Sequence, residues 1–124
     1  MVHSLKTPAE SDEDTLQSSL YKSPAQKELN QAHLFEYKAQ HPLFNPQSST
    51  QKINARNAMW YYLRAALRRD KEAEYKIGIG YLNGELSLDR SYTHAEKWLN
   101  QAIEHGHPKA KKALEQALNQ ISNS

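Results

Sequence analysis

His105-Gly106-His107 is the only close histidine pair in this 124-residue chain, and it is where metal chemistry would first be sought. Two imidazoles can begin a Zn²⁺ or Cu²⁺ site, but such a site needs three or four ligands. Neighbouring Glu104 is a poor third ligand, and the pair falls at the end of a predicted helix. The expectation is therefore a solvated helix C-terminus and no bound metal. His41 precedes Pro42 and reads as a helix C-cap, while His33 reads as packed or partly buried. The chain has no cysteine, which removes disulfides, thiolate metal sites and a cysteine nucleophile. Serines lie mainly in the N-terminal segment, in a long connection and at the end. Glu72, Glu74, Glu85 and Asp89 stand at predicted helix starts or turns, where carboxylates act as caps. Acid–base catalysis needs paired ionisable groups in a shaped pocket, and none is legible. There is no glycine-rich phosphate loop. The reading is no catalytic residue, no cofactor, no metal, and not an enzyme.

Charge leaves a second class open. Arg64, Arg68 and Arg69 end one predicted helix, and Lys109, Lys111 and Lys112 begin another. Arginine near a helix C-terminus complements the macrodipole; the lysines at a helix start oppose it. Nucleic-acid binders need a continuous basic surface, often with stacking aromatics. The chain carries a net charge of only +2. Residues 1–24 hold two lysines against four acids, so they are net −2 and the remainder is +4. Nucleic-acid binding through the basic clusters is therefore kept as the alternative function.

Local signals place these groups on helices. Residues 1–22 are rich in Ser, Thr, Asp and Glu and poor in large apolar groups, which predicts a disordered acidic tail. Within it, Leu16, Leu20 and Tyr21 sit at helical spacing and could dock weakly. Ser23-Pro24 opens a first helix, with Gln26 completing a capping box, and Pro42 stops it after Gln40. A long connection through Pro42–Thr50 follows. Further helices are predicted over about Lys52 to Arg69, Lys71 to Asn83 (Asp70 cap, Gly84 stop), from Asp89 and Ser91 to Gly106, and from Pro108 to about Gln120. No strand alternation is seen. Mean hydropathy is −0.89 and there is no apolar N-terminal run. The expectation is one cytoplasmic module without a signal peptide or membrane span.

The chain also matches itself. Shifted by 37 positions, Ala58, Tyr61, Tyr62, Ala65, Ala66 and Ala73 overlay Ala95, Trp98, Leu99, Ala102, Ile103 and Ala110. A period of about 20–50 residues marks stacked supersecondary units that share a core. The pattern Ala73-x-Tyr75-x-Ile77-Gly78-x-x-Tyr81-x-x-Gly84, then Asp89, Ala95-x-x-Trp98-x-x-x-Ala102, Gly106 and Ala110, resembles a Sel1-like repeat, a relative of the tetratricopeptide repeat. The likeness covers about residues 24–120 and is specific over 55–114. Leu86 stands where a second loop glycine is usual, Arg69 where Gly106 stands, Asn30 and Glu115 where Gly78 stands. The loop between Glu36 and Ala58 carries an insertion.

The resemblance implies an all-α fold: a short right-handed α-solenoid of antiparallel helix pairs, about five helices and two and a half repeats. Its domain would span residues 23–120, with 121–124 a disordered C-terminus. It implies a protein–protein interaction module, an adaptor or scaffold that binds a peptide or partner protein on a concave surface; homo-oligomers are also compatible. The implied groove residues are Lys27, Gln31, Leu34 and Phe35 in the first helix, Tyr75, Ile79, Leu82 and Asn83 in the third, and Lys112 and Gln116 in the fifth, continued by Asn119 and Gln120. Ile79 and Leu82 read equally as packing against flanking helices. Trp60 aligns with Lys97, an outward position. Either the long connection covers it through Leu43 and Phe44, or it is an exposed anchor for a partner. Trp98, mid-stripe between Ala95 and Ala102, is expected to be buried.

Overall fold

The computed structural model describes residues 22–42 and 49–123. The acidic tail before Lys22 and the Leu43–Phe44 segment lie outside the described residues. Those described form five helices and no strand: α1 Pro24–Gln40, α2 Ser49–Leu67, α3 Lys71–Asn83, α4 Tyr92–Glu104 and α5 Ala110–Ser122. Among them no helix is long and apolar enough to cross a membrane.

Local chemistry sets most boundaries. Ser23 Oγ accepts the Gln26 N–H at 3.1 Å and Pro24 takes the first helical position, so α1 starts where the sequence predicts. The capping box is only half made, because the Gln26 amide donates forward to Asn30 Oδ1 at 2.9 Å. His41 caps the other end, its N–H and its Nδ1 both directed at the Tyr37 carbonyl. Asp70 accepts from the Ala73 N–H at 2.9 Å to open α3, and Ser91 rather than Asp89 caps α4. The second helix is displaced towards the N-terminus relative to expectation: it begins at Ser49 and stops at Leu67, because Arg69 already has left-handed backbone, φ 70°. The fifth begins at Ala110 rather than Pro108 and continues to Ser122, so Ile121 and Ser122 of the C-terminus expected to be disordered are helical.

Packing follows chain order. α1 packs on α2, α2 on α3, α3 on α4 and α4 on α5, with a lighter contact between α3 and α5. The 37-residue overlay is visible in burial: Ala58 and Ala95, Tyr62 and Leu99, Ala65 and Ala102, Ala73 and Ala110 all have 0% exposure. Small residues at these positions let backbones approach. At Gly78 the approach is closest, since an added Cβ would sit 2.7 Å from Leu99 Cγ and 3.3 Å from its backbone nitrogen. Trp98 departs from expectation. It is only partly buried, packed on the edge of the core built around Tyr62 and Ile77. Its overlay partner Tyr61 is partly buried in the same way.

Candidate functional site

The longest exposed apolar feature of the described residues is on α2. Ile53, Trp60 and Leu67 are 51%, 52% and 73% exposed. They recur every seven residues, so they fall on one side of the helix, over about 21 Å at 1.5 Å per residue. Such large side chains left in water on one line mark a contact surface more often than scattered single ones do. Trp60 does not float. The Arg64 guanidinium lies 4.7 Å from its ring centroid and Tyr61 meets its edge at 5.1 Å. Tyr61 is in turn stacked on Phe35 at 5.6 Å.

A buried carboxylate fixes Arg64. Glu28, on α1, is 8% exposed. It accepts from Arg64 Nε at 2.5 Å and from Arg68 Nε at 2.6 Å. Burial pushes this carboxyl up, but hydrogen bonds and charge from the two arginines outweigh it and hold the group below the usual carboxylate range. Two arginines of the first basic cluster, Arg64 and Arg68, therefore tie α2 to α1 through Glu28 while staying about half exposed, and serve more than the helix dipole. A second carboxylate, Glu36, accepts from the Tyr62 hydroxyl and from Lys76 Nζ at 3.1 Å. Burial and Glu36 together push the Tyr62 hydroxyl well above its ordinary range.

At its C-terminal end the stripe runs into a cleft of about 510 Å³ between α2 and α4. Leu63, Leu67 and Trp98 supply apolar walls; Arg69, Lys97 and His105 supply polar ones. The histidine pair is not the solvated helix end expected from sequence. His107 is buried, 8% exposed, stacked on Tyr75 at 4.1 Å, with Nε2 2.7 Å from Glu72 Oε2. His105 Nδ1 lies 2.7 Å from Glu74 Oε1, and Glu74 is 1% exposed. Carboxylates only accept and guanidinium only donates. His105 thus donates through Nδ1 and accepts the Arg69 Nη2–H through Nε2, at 3.3 Å. His107 donates through Nε2 and accepts the Lys109 N–H through Nδ1, at 3.1 Å. Glu72 and Glu74 are consequently clamps on the α4–α5 turn, not caps. The reason sequence missed this is that the partners are more than thirty residues apart. Among the described residues no group of three or more His, Cys, Asp or Glu side chains is placed to hold a metal ion.

The groove residues separate into two sets. Lys27, Gln31, Asn83, Lys112 and Gln116 are exposed, and Leu34 is 46% exposed. Phe35 is half-buried against Tyr61. Tyr75, Ile79 and Leu82 are partly buried against the small core around Leu99, Ala102 and Ala110. That central trio therefore works largely as packing between α3 and its neighbours. His33 is exposed, with its ring edge-on to Tyr62 at 5.7 Å. Ile53 and Leu67 were not singled out from sequence, although their seven-residue spacing around Trp60 was there to be read. Glu28 gave no signal, because its arginines lie 36 and 40 residues away. The chain matches no protein-family model, no curated protein and no solved structure.

Proposed function

We infer that this chain is a non-enzymatic protein-binding module built from Sel1-like helix pairs, a short right-handed α-solenoid acting as an adaptor in the cytoplasm. Three features support the repeat reading: the 37-residue overlay, the matched burial of its paired positions, and ion pairs that set the start of α1 beside the end of α2, as an antiparallel pair requires. The binding surface we favour is not the concave trio of Tyr75, Ile79 and Leu82 but the α2 stripe. The single observation that carries this is that Ile53, Trp60 and Leu67 stand half or more exposed in one line. Trp is enriched among the few residues that dominate binding energy, and here Arg64 and Tyr61 already hold the ring, which lowers the entropy lost on binding.

The test compares two surfaces in one assay. Partner capture from native lysate is measured for Trp60→Ala with Leu67→Ala, and for Tyr75→Ala with Leu82→Ala. The α2 pair should weaken capture by at least about 2 kcal/mol, roughly thirtyfold, with helicity unchanged because both side chains are exposed. The α3 pair should lower the melting temperature instead. Full capture by a folded α2 double variant would remove the stripe from consideration.

A further inference from the structure

The stripe has a complement within the same chain. On α2 the charges flanking it are Lys52, Arg56 and Arg64, followed by Arg68 and Arg69, and the helix contains no acidic residue. Glu28 engages Arg64 and Arg68. Arg56 is exposed and has no ion-pair partner among the described residues. A ligand for this face should offer apolar side chains at helical spacing and acidic groups beside them. Residues 10–21 read Glu10-Ser-Asp12-Glu13-Asp14-Thr-Leu16-Gln-Ser-Ser-Leu20-Tyr21. They contain four acids and no base, then Leu16 and Leu20 at i and i+4, neighbours on one face of a helical turn, with Tyr21 flanking them.

The point of attachment favours the match. Described chain begins at Lys22 and Ser23, one turn before Glu28. Glu28 is bonded to Arg64 and Arg68 at the end of α2, beside Leu67. The described chain thus starts next to one end of the stripe. As a helix, residues 10–21 would cover about 18 Å, close to the length of the stripe itself. Tethering at that point raises the local concentration to about the millimolar level, so a weak contact suffices.

We propose that residues 10–21 of this chain dock on the Ile53–Trp60–Leu67 face of α2 and must be displaced before a partner uses it. This rests on the reading of the stripe as a docking surface. Leu20 and Tyr21 meet Leu67 and Trp60, and the Asp12–Asp14 cluster lies against Arg56 and Arg64. A partner helix of the same acidic, apolar character competes for the site, so the segment acts as a built-in competitor.

The test uses the full chain labelled with 5-fluorotryptophan, whose two tryptophans give two fluorine resonances, assigned by Trp60→Phe. The Trp60 resonance should be solvent-protected and independent of protein concentration. Leu16→Ala with Leu20→Ala should move it to the exposed position. Asp12→Asn with Glu13→Gln and Asp14→Asn should do the same, as should raising salt from about 0.05 to about 0.5 M. The Trp98 resonance should stay in place and report an intact core. A Trp60 signal that is exposed from the start, or unmoved by both sets of changes, overturns the proposal. So does a Trp98 signal displaced along with it, which would make the segment part of the core. Movement with Leu43→Ala and Phe44→Ala alone would give the face to the α1–α2 connection, and movement with concentration would give it to a second copy. Loss of partner capture in the Trp60→Ala, Leu67→Ala variant, beside an unresponsive Trp60 signal, would sink this inference and leave the docking surface standing.

Discussion

The turn from α2 to α3 and the turn from α4 to α5 share one backbone but use it differently. In the first, Arg69 N–H donates to Ala66 O at 2.8 Å and Asp70 N–H to Ala65 O at 3.2 Å. In the second, Gly106 N–H donates to Ile103 O at 2.9 Å and His107 N–H to Ala102 O at 2.8 Å. Each bond maps onto its counterpart under the 37-residue shift. This is the Schellman arrangement, which needs a left-handed residue after the helix. Gly106 supplies it at φ 87°, and Arg69 supplies it at φ 70° despite its side chain. The side chains then diverge. Asp70 turns forward to cap α3. His107 turns back to Glu72, and Lys109 stands at the N-cap of α5 without a side-chain hydrogen bond. The same turn is closed locally in one case and by a long-range clamp in the other. Backbone geometry repeats because helix spacing demands it; the side chains are free to solve the remaining hydrogen bonds in different ways.

The hardest way to break the comparison is to remove the fully buried residue that precedes each turn. Tyr62→Ala should cost about 3–5 kcal/mol, and its counterpart Leu99→Ala about 2–5 kcal/mol, by chemical denaturation followed by circular dichroism. An unchanged melt for Leu99→Ala would show that the second turn hangs outside the core.

Next in size is the pairing of buried Glu28 with Arg64 and Arg68 in the first unit, answered in the second by buried Glu74 with His105. Glu28→Ala should cost about 1–2 kcal/mol, limited by the half-exposed arginines. The sign with pH follows from direction. Folding lowers the Glu28 carboxyl below its unfolded range, so its stabilisation is present above the ordinary carboxylate range and disappears as pH falls through the folded value. Stability measured from neutral pH down into the acid should therefore decline less steeply in Glu28→Gln than in the wild type. Equal slopes would mean that this pair does not control acid unfolding.

The cap comes third. Asp70→Ala should lose about 1 kcal/mol, the usual worth of an N-cap. The smallest pair of effects has opposite signs and sharpens the comparison most. Gly106→Ala places a Cβ on left-handed backbone and should destabilise by about 1 kcal/mol. Arg69→Gly relieves the same strain and should stabilise by up to about 1 kcal/mol, less what its bond to His105 contributes. Equal signs for the two would refute the equivalence of the turns.

Local chemistry made much of this readable. Ser23-Pro24, Asp70 and Ser91 mark helix starts because a side-chain oxygen meets an N–H two or three residues on, and that needs no tertiary information. The all-helical character and the buried pairs under the 37-residue shift were legible for the same reason: apolar periodicity encodes which side of a helix leaves water. The alignment of Trp60 with Lys97 put it on an outward position, but whether the α1–α2 connection covers it was not legible there. Tertiary structure alone decided the rest. Glu28 with Arg64 and Arg68, Glu72 with His107, and Glu74 with His105 join residues far apart in sequence, and nothing in either partner's neighbourhood names the other. The partial burial of Trp98, and the commitment of Tyr75, Ile79 and Leu82 to packing instead of a free groove, depend on how closely α3, α4 and α5 approach. Between α3 and α4 that distance is set at Gly78 against Leu99. A sequence states which face of a helix is apolar, but only the neighbour that arrives, and how near it comes, settles whether that face is core or surface.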